Sequence, residues 1–138
     1  MCREFQCFIV IFMLFFSMHL YADEAGAKAK SKDYQAVYDA CVQRAGSIDN
    51  EVVAGCSERV STQENVEMNA LYLKMHGRLM GKAPADAARL EKAQKDWLSF
   101  RDVHCDLAGK YIGDPQYSYC PMKMNMERVK ELRELVGE

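Results

Sequence analysis

From Asp33 onward the apolar positions recur at intervals of three and four. Tyr34, Val37, Tyr38, Cys41 and Val42 form a first stripe that stops near Gly46. That interval gathers side chains on one face of an α-helix. Ser47 to Asn50 is rich in residues that cap helix starts, and a second, longer pattern begins there. It runs through Val52, Val53, Cys56 and Val60 to Met68, Leu71, Tyr72, Met75 and Leu79, and Gly81 ends it. Ser61-Thr62-Gln63-Glu64 has the form of a capping box, which predicts a break or kink near Ser61. Pro84 suits the first turn of a third helix that reaches about Gly109. On that helix Leu90, Ala93, Trp97, Phe100 and His104 share one stripe, while Lys92, Lys95, Asp96 and Ser99 face away. Tyr111 to Tyr117, with Gly113, Asp114 and Pro115 in its middle, reads as the one true loop. A last helix carries Met122, Met126, Val129, Leu132 and Val136. No segment alternates with a period of two. The expected fold is all-α, a small antiparallel bundle of about four helices.

The first residues read differently. Phe8 to Phe16 is an unbroken apolar run that follows Arg3 and leads through Ser17 to Ala22 and then Asp23-Glu24. A charged start, a short apolar middle and a small residue before an acidic pair are the marks of a secretory signal peptide over residues 1–22. The run falls short of the about 18 apolar residues that a spanning helix needs. Residues 23–32 are rich in Ala, Gly and Lys and aperiodic, which predicts a flexible leader. The folded domain is then 33–138, and the expected location is the periplasm or the medium.

Loss of residues 1–22 removes Cys2 and Cys7 and leaves Cys41, Cys56, Cys105 and Cys120. Four cysteines in a small exported domain predict two disulfides, with three possible connectivities. The spacing favours Cys41–Cys56 and Cys105–Cys120, because each pair brackets one helix-to-helix junction. Four thiolates on zinc is the alternative, but no C-x-x-C pair is present and export suits it poorly. The formal net charge of −2 offers no electrostatic footprint for nucleic acid and is mildly compatible with a basic partner.

The stretch Ala93 to Cys105 holds the single tryptophan, an Arg-Asp pair and a cysteine. Its form, AQ-x-x-W-L-x-[FY]-R-D-x-x-C, resembles the signature of the lysozyme inhibitor LprI N-terminal domain family. Met68-Asn69-Ala70-Leu71-Tyr72 is similar to that family's L-N-x-x-Y, and Cys120 with Arg128 and Glu131-Leu132 resembles its closing C…R-x-x-E-L. The likeness spans roughly Cys41 to Leu135. It departs at Gly113-Asp114-Pro115, where relatives often carry a Gly-Gly-Ser-like turn, and at Asn65, where they are usually acidic. The resemblance implies a small secreted helical domain, in a family named for a member that blocks lysozyme. It also marks Asn69, Tyr72, Gln94, Trp97, Phe100, Arg101 and Asp102 as family-motif positions.

Read for chemistry, those positions favour the scaffold. Trp97 and Phe100 are expected in the core, Trp97 against Leu71, Tyr72 or Val129. Arg101 and Asp102 are neighbours in sequence and are expected to take different partners, with Arg101 tying helices together by hydrogen bonds. His76 and His104 are the two histidines beyond the signal segment, and no Gly-x-Ser-x-Gly accompanies them. Acidic residues are plentiful but nothing marks a catalytic pair among them, so no catalytic residue is assigned and no enzyme is expected. Cys120-Pro121-Met122-Lys123-Met124-Asn125-Met126 raises Cu(I) binding by soft sulfur ligands. On a helix Met122 and Met126 share a face that Met124 leaves, which suits core filling better. No cofactor or metal is expected. The partner-binding candidates are Lys110, Tyr111, Asp114, Tyr117 and Tyr119, an aromatic loop pinned by the proposed Cys105–Cys120 bridge. The function expected is a non-enzymatic binding protein that occludes the cleft of lysozyme or a related muramidase. An envelope interaction module without a hydrolase target is the alternative.

Overall fold

Asp33 opens α1 (Tyr34–Ala45) by accepting a 3.1 Å hydrogen bond from the Ala36 N–H. Gly46 closes it in the left-handed region at φ 74°, its N–H returning to the Gln43 carbonyl. Asp49 repeats the device for α2 (Asn50–Met80), accepting from the Val52 N–H at 2.9 Å. These bonds favour the carboxylate and hold the Asp49 carboxyl below its ordinary range. Pro84 is the first residue of α3 (Pro84–Ile112), and Gln116 starts α4 (Gln116–Val136). The structure, a computed structural model, describes residues 31–138. The expected signal segment and residues 23–30 of the leader lie outside the described residues. No described helix is long and apolar enough to cross a membrane.

Among the described residues the fold is all-α, four helices joined by short turns, as the periodicity implied. Its centre is α4, whose Met122, Val129 and Leu132 are fully buried. They pack with Tyr34 and Tyr38 of α1 and with Val60, Met68 and Leu71 of α2. The largest interface joins α2 to α4, with α3 laid against both. Two disulfides fasten the ends: Cys41–Cys56 ties α1 to α2, and Cys105–Cys120 ties α3 to α4. Each spans a separation of 15 residues. A loop of that size stabilises by roughly 3 kcal/mol when closed.

Three expectations change. The break near Ser61 is absent, and α2 is continuous from Asn50 to Met80. Ser61 uses its hydroxyl to accept from Asn125 at 2.9 Å, and Glu64 points into the core rather than back to a cap. The residues that read as a cap are spent on tertiary contacts instead.

The loop from Tyr111 to Tyr117 shrinks to Gly113-Asp114-Pro115, because α3 runs on to Ile112. Gly113 at φ 98° ends that helix, and the Pro115 carbonyl accepts from the Ser118 and Tyr119 N–H groups to begin the next.

The α3 stripe is also rotated from its expected position. The buried residues are Ala87, Gln94, Cys105 and Gly109, while Phe100 is 59% exposed and Ala93 and His104 face solvent. Cys105 sets this rotation, since its sulfur must meet Cys120 on α4.

Candidate functional site

The five partner-binding candidates sit where α3 meets α4, but they do not form a loop. Lys110 and Tyr111 belong to the last turn of α3, with the Lys110 ammonium 5.5 Å from the centre of the Tyr111 ring. Tyr111 is 75% exposed, and Ile112 beside it is equally open. Asp114 is exposed in the turn. Tyr117, on the first turn of α4, is half exposed, and its ring packs against the backbone of Gly109. A Cβ at Gly109 would stand 2.3 Å from that ring, so only glycine permits this contact. Tyr119 leaves the group: it packs edge-on against Tyr38 with ring centroids 5.8 Å apart. The structure thus brings Lys110, Tyr111, Asp114 and Tyr117 to one tip and places Tyr119 against the core.

Sequence reasoning missed the apolar surface that continues from this tip. Phe100, Val103 and Leu107 are all exposed and, with Tyr111, recur at three and four residues on the outer side of α3. His104 stacks on Phe100 at 5.6 Å. The spacing is visible in the sequence, but the stripe through Leu90, Ala93 and Trp97 predicts Phe100 on the inward side.

The family-motif residues form a polar clasp rather than an open site. Trp97 is half buried, with the Arg101 and Arg128 guanidinium groups 5.5 and 5.6 Å from its ring. Arg128 donates through Nε and Nη2 to the Gln94 carbonyl oxygen at 3.0 and 2.9 Å. Arg101 donates through Nη1 to the Asn125 side-chain oxygen at 2.8 Å. Asn125 is fully buried and donates onward to Ser61 and to Asn65 at 3.3 Å. One hydrogen-bonded line therefore crosses from α3 through α4 to α2. Asn65 is its far end. The expectation of separate partners for Arg101 and Asp102 is corrected. Arg101 folds back to give Asp102 two bonds, 2.9 and 2.6 Å, since its side chain is long enough to reach its neighbour. Asn69, Tyr72 and Gln94 line a shallow groove between α2 and α3 together with Leu98.

A second polar cluster joins α1, α2 and α4. Tyr34 donates to Glu67 at 2.7 Å, and Arg133 donates to the other oxygen of Glu67 at 2.7 Å. Those bonds hold the Glu67 carboxyl below its ordinary range against the opposing effect of burial. Glu64, one turn away, is fully buried, and among the described residues neither of its oxygens has a partner. Desolvation raises its carboxyl from 4.5 to about 8, with the Lys123 charge working against the rise and Glu67 adding to it. No sequence signal distinguished this glutamate.

The sulfur residues of the Cu(I) reading are otherwise engaged. Met122 and Met126 lie in the apolar core, and the Cys120 sulfur is half of a disulfide. Met124 rests its sulfur 3.6 Å from that of Cys105. Among the described residues no group of three His, Cys, Asp or Glu is placed to hold a metal ion.

No curated protein and no solved structure matches the chain. A family match, to lysozyme inhibitor LprI, extends over residues 41–132. It takes in both disulfides, the Trp97 clasp and the tip between α3 and α4. On that match, which covers two thirds of its length, the chain belongs to the lysozyme inhibitor LprI family.

Proposed function

We propose that this protein is an exported, non-enzymatic inhibitor of lysozyme or a related muramidase, and that it acts by occupying the enzyme's cleft. Family membership supports the activity. Two disulfides support an oxidising compartment outside the cytoplasm. The observation that carries the choice of surface is the exposed row Phe100, Val103, Leu107 and Tyr111, which ends at the tip with Tyr117. Large apolar side chains held open on a rigid helix mark an interaction surface. The Cys105–Cys120 bridge and the Tyr117–Gly109 contact fix that surface before any partner arrives, which lowers the entropy cost of binding. Between Asp96 and Tyr117 four aspartates stand against Arg101 and Lys110, a balance that suits a basic enzyme.

The test is lysis of cell walls by c-, g- and i-type lysozymes in the presence of the exported protein. Protection against at least one type is expected, with Leu107→Asp and Tyr111→Ala weakening it while leaving the helical spectrum intact. No protection from any type, at inhibitor well above enzyme, removes the proposal and leaves an envelope interaction module in its place.

A further inference from the structure

The outer side of α2 carries a second apolar row, remote from the tip in sequence and on another helix. Val66 is 70% exposed, Leu73 59% and Met80 53%. Ala70 and Gly77, also exposed, lie between them. The intervals run four, three, four, three, which is the spacing of a seam between two helices. Large residues repeat every seven positions and small ones fall between. Nothing in the described bundle covers this face, because the inward side of the same helix is Val60, Glu64, Met68 and Leu71.

We propose that this face binds a second copy of the chain, with the two α2 helices antiparallel about a two-fold axis at the level of Leu71 and Tyr72. Size matching selects that arrangement. In antiparallel register Val66 meets the partner's Gly77 and Ala70 meets the partner's Leu73, so each of these layers sets a large side chain into the space left by a small one. Met80, at the row's end, lies over the stem of the partner's Gln63. A parallel pair would place Ala70 on Ala70 and Gly77 on Gly77, and would leave gaps that forfeit contact.

Charge matching selects it independently. Glu67 and Lys74 edge the seam on the same side, and antiparallel pairing brings each within about 3 Å, measured along the axis, of its opposite on the other copy. Lys74 is available for this, since among the described residues its side chain bonds only the exposed Glu138. An exposed pair of that kind is worth little and is readily exchanged. Glu67 is already fixed by Tyr34 and Arg133 and is still 26% exposed at its side chain. An isologous two-fold interface needs this self-complementarity.

Sedimentation equilibrium of the exported protein over a wide concentration range tests the proposal. A monomer–dimer equilibrium is expected. Leu73→Glu should leave a monomer, and Lys74→Glu should weaken association by about tenfold or more through like charges across the seam. Phe100→Glu, on the α3 row, should leave the dimer intact. Direction is read by oxidative cross-linking: Ala70→Cys mixed with Leu73→Cys should give mainly the mixed disulfide. A wild-type monomer at every concentration, a dimer indifferent to Leu73→Glu, or cross-linking of Ala70→Cys mainly to itself would overturn it. Leu73 and Lys74 are exposed, and helical circular dichroism confirms that each variant is folded. Lysozyme protection is measured on the same samples, so loss of the dimer and loss of inhibition are scored separately.

Discussion

Replacing Glu64 by Gln should make the protein more stable above neutral pH and change it little in acid. The side chain is fully buried and neither oxygen finds a partner, so the folded protein prefers the neutral acid. The carboxyl rises from 4.5 to about 8 on folding. An acid raised on folding keeps its proton in the native state where the unfolded chain has released it. Stability is therefore complete below the unfolded value and is lost as pH climbs through the folded one. At roughly 1.4 kcal/mol per pH unit, the whole gap amounts to about 5 kcal/mol, of which about 3 kcal/mol is already lost at pH 7. Glutamine keeps the shape and the polarity but cannot ionise. Urea unfolding followed by circular dichroism, for both proteins from mildly acid to mildly alkaline pH, gives the difference directly. The two curves should nearly coincide at the acid end and separate steadily through neutrality, with Glu64→Gln the more stable. Titrating groups that do not interact with Glu64 are common to both proteins and cancel, while the coupling to Glu67 and Lys123 is part of the measured difference. A difference that stays flat with pH would refute the reasoning, by showing that Lys123 or entering water satisfies the carboxylate.

The remaining structural predictions concern the clasp and the staples. Asn125→Ala removes the link between Arg101 and Ser61 and leaves a guanidinium donor without a partner. A loss of about 2 to 3 kcal/mol in urea unfolding is expected, and a loss below half of that would mean water replaces the amide. Replacing Cys105 and Cys120 together by Ala should cost roughly 3 kcal/mol and loosen the tip, read as faster amide exchange at the end of α3 than in α1.

Much of this bundle is legible in the chain. The last helix is the clearest case: Met122, Met126, Val129, Leu132 and Val136 share one apolar face, and all five are buried. The caps Asp49 and Gly46 and the first-turn Pro84 mark their helix ends by local chemistry alone. Equal cysteine spacings identified the two bridges. The helix carrying the family motif misleads because its most buried residues, Ala87, Gln94, Cys105 and Gly109, are small or polar, while Phe100, Val103 and Leu107 face outward. Trp97 and Leu98 still pack against the core, so its apolar residues are divided between two sides. Ser61 misleads for a related reason, as its partner Asn125 is distant in sequence. Lys110, Tyr111, Asp114, Tyr117 and Tyr119 are close in sequence, but only the structure separates Tyr119, packed on Tyr38, from the exposed Tyr111 and Tyr117.

Inhibition itself is the decisive measurement. Residual lysozyme activity on cell walls, titrated with the purified protein and in parallel with Leu107→Asp, should fall in a saturable way for the first and hardly at all for the second. Full lytic activity at saturating wild-type protein, with every lysozyme type, would contradict the proposed function, and equal inhibition by Leu107→Asp would contradict the surface assigned to it.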